Sequence, residues 1–130
     1  MTVAYLDSSC LVALVLGEPS APRVARMLRP FTRLVSSNLL EAEVRSALGR
    51  ERVVPAADTF TGLGWVLPER ALAQEFERVA ALGTLRGADL WHVACALYLD
   101  PTAAELAFVT LDLAQRKVAA AVGFATPHQG

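Results

Sequence analysis

The sequence predicts an α/β domain with a parallel sheet covered by helices on both faces. Three observations carry that prediction. Short apolar runs suited to buried strands alternate with longer stretches whose apolar residues recur at helical spacing. The first and fourth strand-like runs end in an aspartate just where a helix begins, placing acid at the carboxyl edge of a sheet, where ligands bind in open α/β folds. Finally, the 130 residues, 54% of them hydrophobic, contain no repeat, low-complexity tract or linker, so residues 1–130 read as one domain with one sizeable core.

The elements follow in order. Residues 3–6 form a strand that runs into Asp7, Ser8 and Ser9, and an apolar helix covers 11–16. Gly17-Glu18-Pro19-Ser20 ends it, and Ser20 is placed to cap a second helix with Pro22 in its first turn. Val24, Met27 and Leu28 line one side of that helix, Arg23, Arg26 and Arg29 the other, and Pro30 stops it. The arginine stripe reads as a solvated face or as a phosphate-contacting edge. Residues 34–36 form a second strand. Asn38 and Glu41 then read as a capping box for a third helix, whose Leu40, Glu43, Val44, Ala47 and Leu48 share a face. Glu43 is thus a carboxylate on an apolar face, whereas Glu41 points elsewhere and has Arg45 at i+4.

Gly49, Pro55, Gly62 and Gly64 break up residues 49–64, which predict a loop with a short helix near 56–61. Residues 65–67 make a third strand. Pro68 or Glu69 opens an amphipathic helix with Leu72, Phe76, Val79 and Leu82 inward, ended by Gly83. Asp89 lies in the first turn of the most apolar helix, 90–99, which stops at Asp100-Pro101. Residues 106–110 are a buried strand, Asp112 precedes a helix to about 122, 123–125 are an edge strand, and 127–130 a tail.

A net charge of −1 gives no general basic signature, so any nucleic-acid surface must be local. Cys10 and Cys95 lie in apolar helical runs and predict buried reduced thiols; sequence alone leaves a disulfide open, and the pair makes no zinc site. Residues 10–16 are superficially like a signal-peptide core, but nothing basic precedes them. No apolar run reaches the roughly 18–20 residues of a membrane span, so a cytoplasmic protein without membrane contact is expected.

Asp7, Glu43, Asp89 and Asp112 are the candidate site. Asp7, Glu43 and Asp112 hang off the carboxyl edge of the predicted sheet, and Asp89 can join them from a helix start. Each also has an ordinary reading: Asp7 and Asp112 as helix caps, Asp89 as a first-turn acid facing the helix dipole, Glu43 as a surface residue. Their weight lies in joint placement. Four anions in one cleft need cations, and only Arg86 stands near in sequence. A hard divalent ion, Mg²⁺ or Mn²⁺, meets the need, and such ions activate water and stabilise a phosphate being displaced, which is nuclease chemistry.

Tyr5-Leu6-Asp7-Ser8-Ser9, then Val35-Ser36-Ser37 with Glu43 six residues on, then Leu85-Arg86-Gly87-Ala88-Asp89-Leu90-Trp91-His92, then Phe108-Val109-Thr110-Leu111-Asp112 resemble the PIN-domain ribonucleases, and among them the VapC toxins of VapBC toxin–antitoxin pairs. The resemblance covers nearly the whole chain. It implies a three-layer α/β/α fold with a parallel sheet in the order 3-2-1-4-5 and a Mg²⁺-dependent endoribonuclease (or one using Mn²⁺). Asp7, Glu43, Asp89 and Asp112 map onto the family's metal and catalytic positions, and Ser9 and Thr110 onto supporting hydroxyls. The implied partners are RNA, a VapB-like antitoxin that puts a basic side chain into the acidic pocket, and a second copy of the chain.

Arg86, Arg116 and Lys117 are read either as phosphate contacts or as solvated charges. His92, with no ring partner legible, is read as a packing residue. Residues 49–64 depart from the family, being short and broken where a helical pair is usual. Two rivals stand beside this reading. A phosphatase of the haloacid dehalogenase type would need a second aspartate two residues after Asp7, where Ser9 stands. The alternative is a non-catalytic PIN-fold module for RNA or protein contact; the intact Asp7, Glu43, Asp89 and Asp112 argue against it.

Overall fold

Val3–Leu6 form β1, the strand about which the sheet is laid. The computed structural model describes residues 2–128. After β1 come α1 (Ser8–Leu16), α2 (Ala21–Leu28), β2 (Arg33–Ser37), α3 (Leu39–Arg50), β3 (Leu63–Val66), α4 (Ala73–Ala80), α5 (Gly87–Leu99), β4 (Leu106–Val109) and α6 (Leu113–Val122). All pairings are parallel, in the order β3-β2-β1-β4, with Tyr5 opposite both Val35 and Phe108.

Side-chain alternation along β1 and β4 divides the core. Ala4, Leu6, Ala107 and Val109 face a cluster with Cys10 and Ala13 of α1, Val24 of α2, and Leu40, Val44 and Leu48 of α3. Tyr5 and Phe108 face the other side, with Val79 of α4, Val93–Leu97 of α5 and Val118 of α6. Helices thus cover both faces, which is why these strands read as nearly continuous apolar runs. Cys10 and Cys95 are free and buried in the two opposite clusters, so the sheet keeps them from pairing. Among the described residues no helix is long and apolar enough to cross a membrane.

Several expectations are corrected. The sheet has four strands rather than five: the expected edge strand at 123–125 amounts to a single parallel bridge between Ala107 and Ala125, with the Phe108 N–H donating to the Ala125 carbonyl at 2.8 Å. Pro127, which lacks an N–H, prevents that pairing from continuing. Asn38 forms no capping box. Its backbone is already helical, at φ −65° and ψ −14°, so its side chain does not reach back over the first turn, and Glu41 pairs with Arg45 at 2.7 Å instead. Ser20 makes no side-chain cap either.

The helix expected near 56–61 is a pair of turns, closed by Thr59 N–H on the Ala56 carbonyl and Thr61 N–H on that of Asp58. β3 begins two residues earlier than expected. Gly64 fits there because a Cβ would stand 2.9 Å from the Arg33 guanidinium. α4 starts only at Ala73. The chain from Pro68 spends its groups elsewhere, Glu69 N–H on the Tyr98 hydroxyl and Arg70 in a two-pronged pair with Glu75 at 2.9 and 2.6 Å. Leu82 lies beyond its end and is exposed rather than inward. Of the expected tail, Gln129 and Gly130 lie outside the described residues.

Candidate acidic site

β1 delivers Asp7 to the carboxyl edge in extended backbone, at φ −90° and ψ 175°. Asp7 stands at the N-cap of α1 but makes no capping bond. Its oxygens are met by hydroxyls from both flanks: Ser9 Oγ donates to Oδ1 at 2.6 Å, and Thr110 Oγ1, just past β4, lies 3.0 Å from Oδ2. Ser9 in turn accepts the Leu111 N–H at 3.1 Å. Asp7 is only 4% exposed. Burial pushes its carboxyl up to about 6 against the pull of Ser9, His92 and Thr110, and the negative charge of Asp89 adds to the rise.

A count of hydrogens explains why the charged form is uncomfortable. Thr110 Oγ1 accepts the Asp112 N–H at 3.0 Å and has one hydrogen of its own, yet two acceptors face it, Asp7 Oδ2 at 3.0 Å and Gln115 Oε1 at 2.7 Å. The amide of Gln115 cannot be turned round to help, because its Nε2 donates to the Asp89 carbonyl at 3.2 Å. The network closes when a proton on Asp7 donates to Thr110 and Thr110 donates to Gln115.

Asp112 follows β4 and takes its capping role, with Oδ1 accepting the Gln115 N–H at 2.8 Å. Asp89 lies in the first turn of α5. Its carboxyl is raised by burial and by the charges of Asp112 and Glu43, and is pulled down by Arg86, whose Nε stands 3.5 Å away. Asp89 is therefore the electrostatic centre of the four: it bears on Asp7, and Asp112 and Glu43 bear on it. Arg86 is a loose partner, its side chain 86% exposed. Arg116 is half-buried and Lys117 exposed on α6.

Glu43, one turn into α3, is held by His92 of α5, with Nε2 to Oε1 at 2.6 Å. This corrects the expectation that His92 has no ring partner. Its other nitrogen, Nδ1, meets the Tyr5 hydroxyl at 2.7 Å. Sequence reasoning missed His92, Tyr5 and Gln115. Each lies two or three residues from one of the acids, a faint signal; the partners that give them meaning are as much as 87 residues away.

The donor set fits a hard divalent cation in kind. It offers carboxylate oxygens on converging elements, mutually repelling charges, and in Arg86 a poorly placed counterion. The side chains are not drawn together: among the described residues no three His, Cys, Asp or Glu are grouped closely enough to hold an ion. A groove of about 550 Å³ opens from Ser9 and Glu43 and runs between α1 and α3, past Val12 and Ser46 to Arg50.

Gln115 is wholly buried and ties Thr110 to α5, its Oε1 meeting the Thr110 hydroxyl at 2.7 Å and its Nε2 donating to the Asp89 carbonyl at 3.2 Å. Gln115→Leu is expected to cost on the order of 1–3 kcal/mol in denaturant unfolding, from the loss of the two buried hydrogen bonds of its amide. An unchanged midpoint would show that the bridge carries no weight.

The model of the PIN domain family matches residues 4–121 of the chain. No curated protein matches it.

Proposed function

The chain belongs to the PIN domain family, and from that premise we propose that it is a Mg²⁺- or Mn²⁺-dependent endoribonuclease, acting in the cytoplasm as the VapC-type toxin of a toxin–antitoxin pair. PIN domains are generally nuclease modules and typically use divalent metals. The observation that carries the reading to this chain is the mutual electrostatic influence of its acids: the charge of Asp89 raises Asp7, and Asp89 is itself raised by Asp112 and Glu43.

In this reading the four carboxylates hold the metal. When bound, it supplies a water of lowered pKa and offsets charge on the phosphate being displaced. The protein's own groups do the rest. Ser9 and Thr110 fix the plane of Asp7. Arg86, exposed beside Asp89, is within reach of a substrate phosphate. The groove between α1 and α3 opens on Glu43 and offers a course for a single RNA strand, with the Arg50 guanidinium along it. The same acidic pocket suits a basic side chain of an antitoxin. Such an antitoxin and a second copy of the chain are the protein partners this reading implies.

The test is cleavage of total cellular RNA by the purified protein in Mg²⁺, in Mn²⁺ and in EDTA. Cutting in metal that stops in EDTA is expected. That no closely grouped set of metal ligands occurs among the described residues favours one second reading, a non-catalytic PIN-fold module. No cutting together with no metal binding would establish it.

A further inference from the structure

Tyr5 is an odd residue for the middle of a central strand. It is fully buried, and its ring stacks on Phe108 at 5.4 Å with an interplanar angle of 9°, so its hydroxyl is fixed in direction. That hydroxyl accepts the Ser37 N–H at 3.1 Å and meets His92 Nδ1 at 2.7 Å. His92, 1% exposed, then reaches Glu43 Oε1 through Nε2. An ionised Glu43 can only accept, so Nε2 carries a hydrogen toward it; in the neutral ring Nδ1 accepts from the Tyr5 hydroxyl, and in the imidazolium it donates to the Tyr5 oxygen, which keeps its own hydrogen. Burial raises the Tyr5 phenol well above its ordinary value, so that hydrogen stays in place.

The chain of bonds also crosses the fold. α3 packs on one face of the sheet through Leu40, Val44 and Leu48, and α5 on the other through residues 93–97. The bond from His92 to Glu43 joins them past the carboxyl edge, beside Asp7 and Asp89. Burial alone requires a partner on each ring nitrogen; what goes beyond that need is that one of them is a carboxylate of the acidic cluster, 27% exposed and able to reach solvent instead. His92 lies three residues after Asp89 on the same face of α5, so one helix face supplies one acid to the cluster and grips another.

We propose that Tyr5 and His92 are positioning residues, which act in series to aim the Glu43 carboxylate at the acidic cluster. The proposal rests on the reading of that cluster as a metal site. Without the arm, Glu43 is a flexible side chain on an open groove. With it, one oxygen is held and the carboxylate plane is set by two buried rings anchored in the central strand and in α5.

The test is Mn²⁺ binding, followed by the loss of the free-ion spin-resonance signal, with thermal melts to establish folding. The protein is compared with its His92→Leu, His92→Gln and Tyr5→Phe variants. His92→Leu is expected to raise the Mn²⁺ dissociation constant ~10- to 100-fold, as loss of groups that orient metal ligands does. His92→Gln, whose amide can still donate to Glu43, is expected to recover most of the loss, and Tyr5→Phe to fall between. Unchanged affinity in His92→Leu overturns the proposal. Should that variant not melt cooperatively, unchanged affinity in Tyr5→Phe overturns it instead. A wild-type protein that binds no Mn²⁺ overturns the metal reading itself, a failure distinguishable from either of these.

Discussion

Asp7→Asn is expected to abolish RNA cleavage and, in metal-free buffer at neutral pH, to make the protein more stable. Both effects have one source. Asp7 is nearly fully buried, and its carboxyl stands at about 6 against an ordinary 3.8. Because the folded value is the higher one, the folded state holds the proton more tightly than the unfolded state does. Below 3.8 both states are protonated and folding is not penalised. Between 3.8 and about 6 the unfolded chain loses its proton while the folded chain keeps it, so stability falls as pH rises; above about 6 the loss is complete. The displacement corresponds to on the order of 3 kcal/mol.

Asparagine removes that cost and suits the hydrogen count. Its oxygen accepts from Ser9, its amide donates to Thr110, and Thr110 is left free to donate to Gln115. The variant should melt several degrees higher in EDTA. Its stability should also lack the decline expected of the wild type across pH 4 to 6, roughly the window between the two values. Cleavage should fall by at least ~10²–10³-fold, the size of loss that follows removal of one preorganised electrostatic group from an active site. Cleavage at the wild-type rate would sink the metal-site reading, and a variant no more stable than the wild type would sink the account of a carboxylate held against its preference.

The parts of this arrangement that sequence discloses are those written in local spacing. Asp7 follows its apolar strand directly and Asp112 stands three residues past the end of its own, and the strand alternation that puts Ala4 and Leu6 on one face and Tyr5 on the other is local too. Glu43 stood out because it fell on the apolar face of α3, and Glu41 was separated from it by the i+4 pair with Arg45. The rest depended on distance along the chain. Nothing near His92 announces Tyr5 or Glu43, because β1, α3 and α5 meet only once the sheet is assembled. Gln115 carries little local signal of its role, yet it is wholly buried, with its amide bonded to the Thr110 hydroxyl and the Asp89 carbonyl. The fifth strand failed for a complementary reason. Residues 123–125 have strand-like composition, but a strand needs a run of free N–H groups along a partner, and Pro127 leaves a single bridge.

Asp89→Asn is the second substitution with a large expected effect, and it separates charge from scaffold. The backbone carbonyl that accepts from Gln115 is untouched, and so is the helix start. The side chain loses its charge, and with it the repulsion from Asp112 and Glu43 and the attraction of Arg86. Stability should therefore change little: Asp89 is more open to solvent than Asp7, and what is lost on one side is a loose 3.5 Å pair with an exposed guanidinium. Cleavage should nonetheless fall ~10²–10³-fold, because the carboxylate to which the other three are electrostatically tied no longer offers a charged oxygen. Arg86→Gln provides the contrast. If Arg86 only screens Asp89, KM and kcat both stay near wild type; if it steadies a phosphate, KM rises several-fold with kcat held. A folded Asp89→Asn protein that cuts RNA as fast as wild type would mean that the acids of this edge are caps and dipole partners, and that the chemistry lies elsewhere.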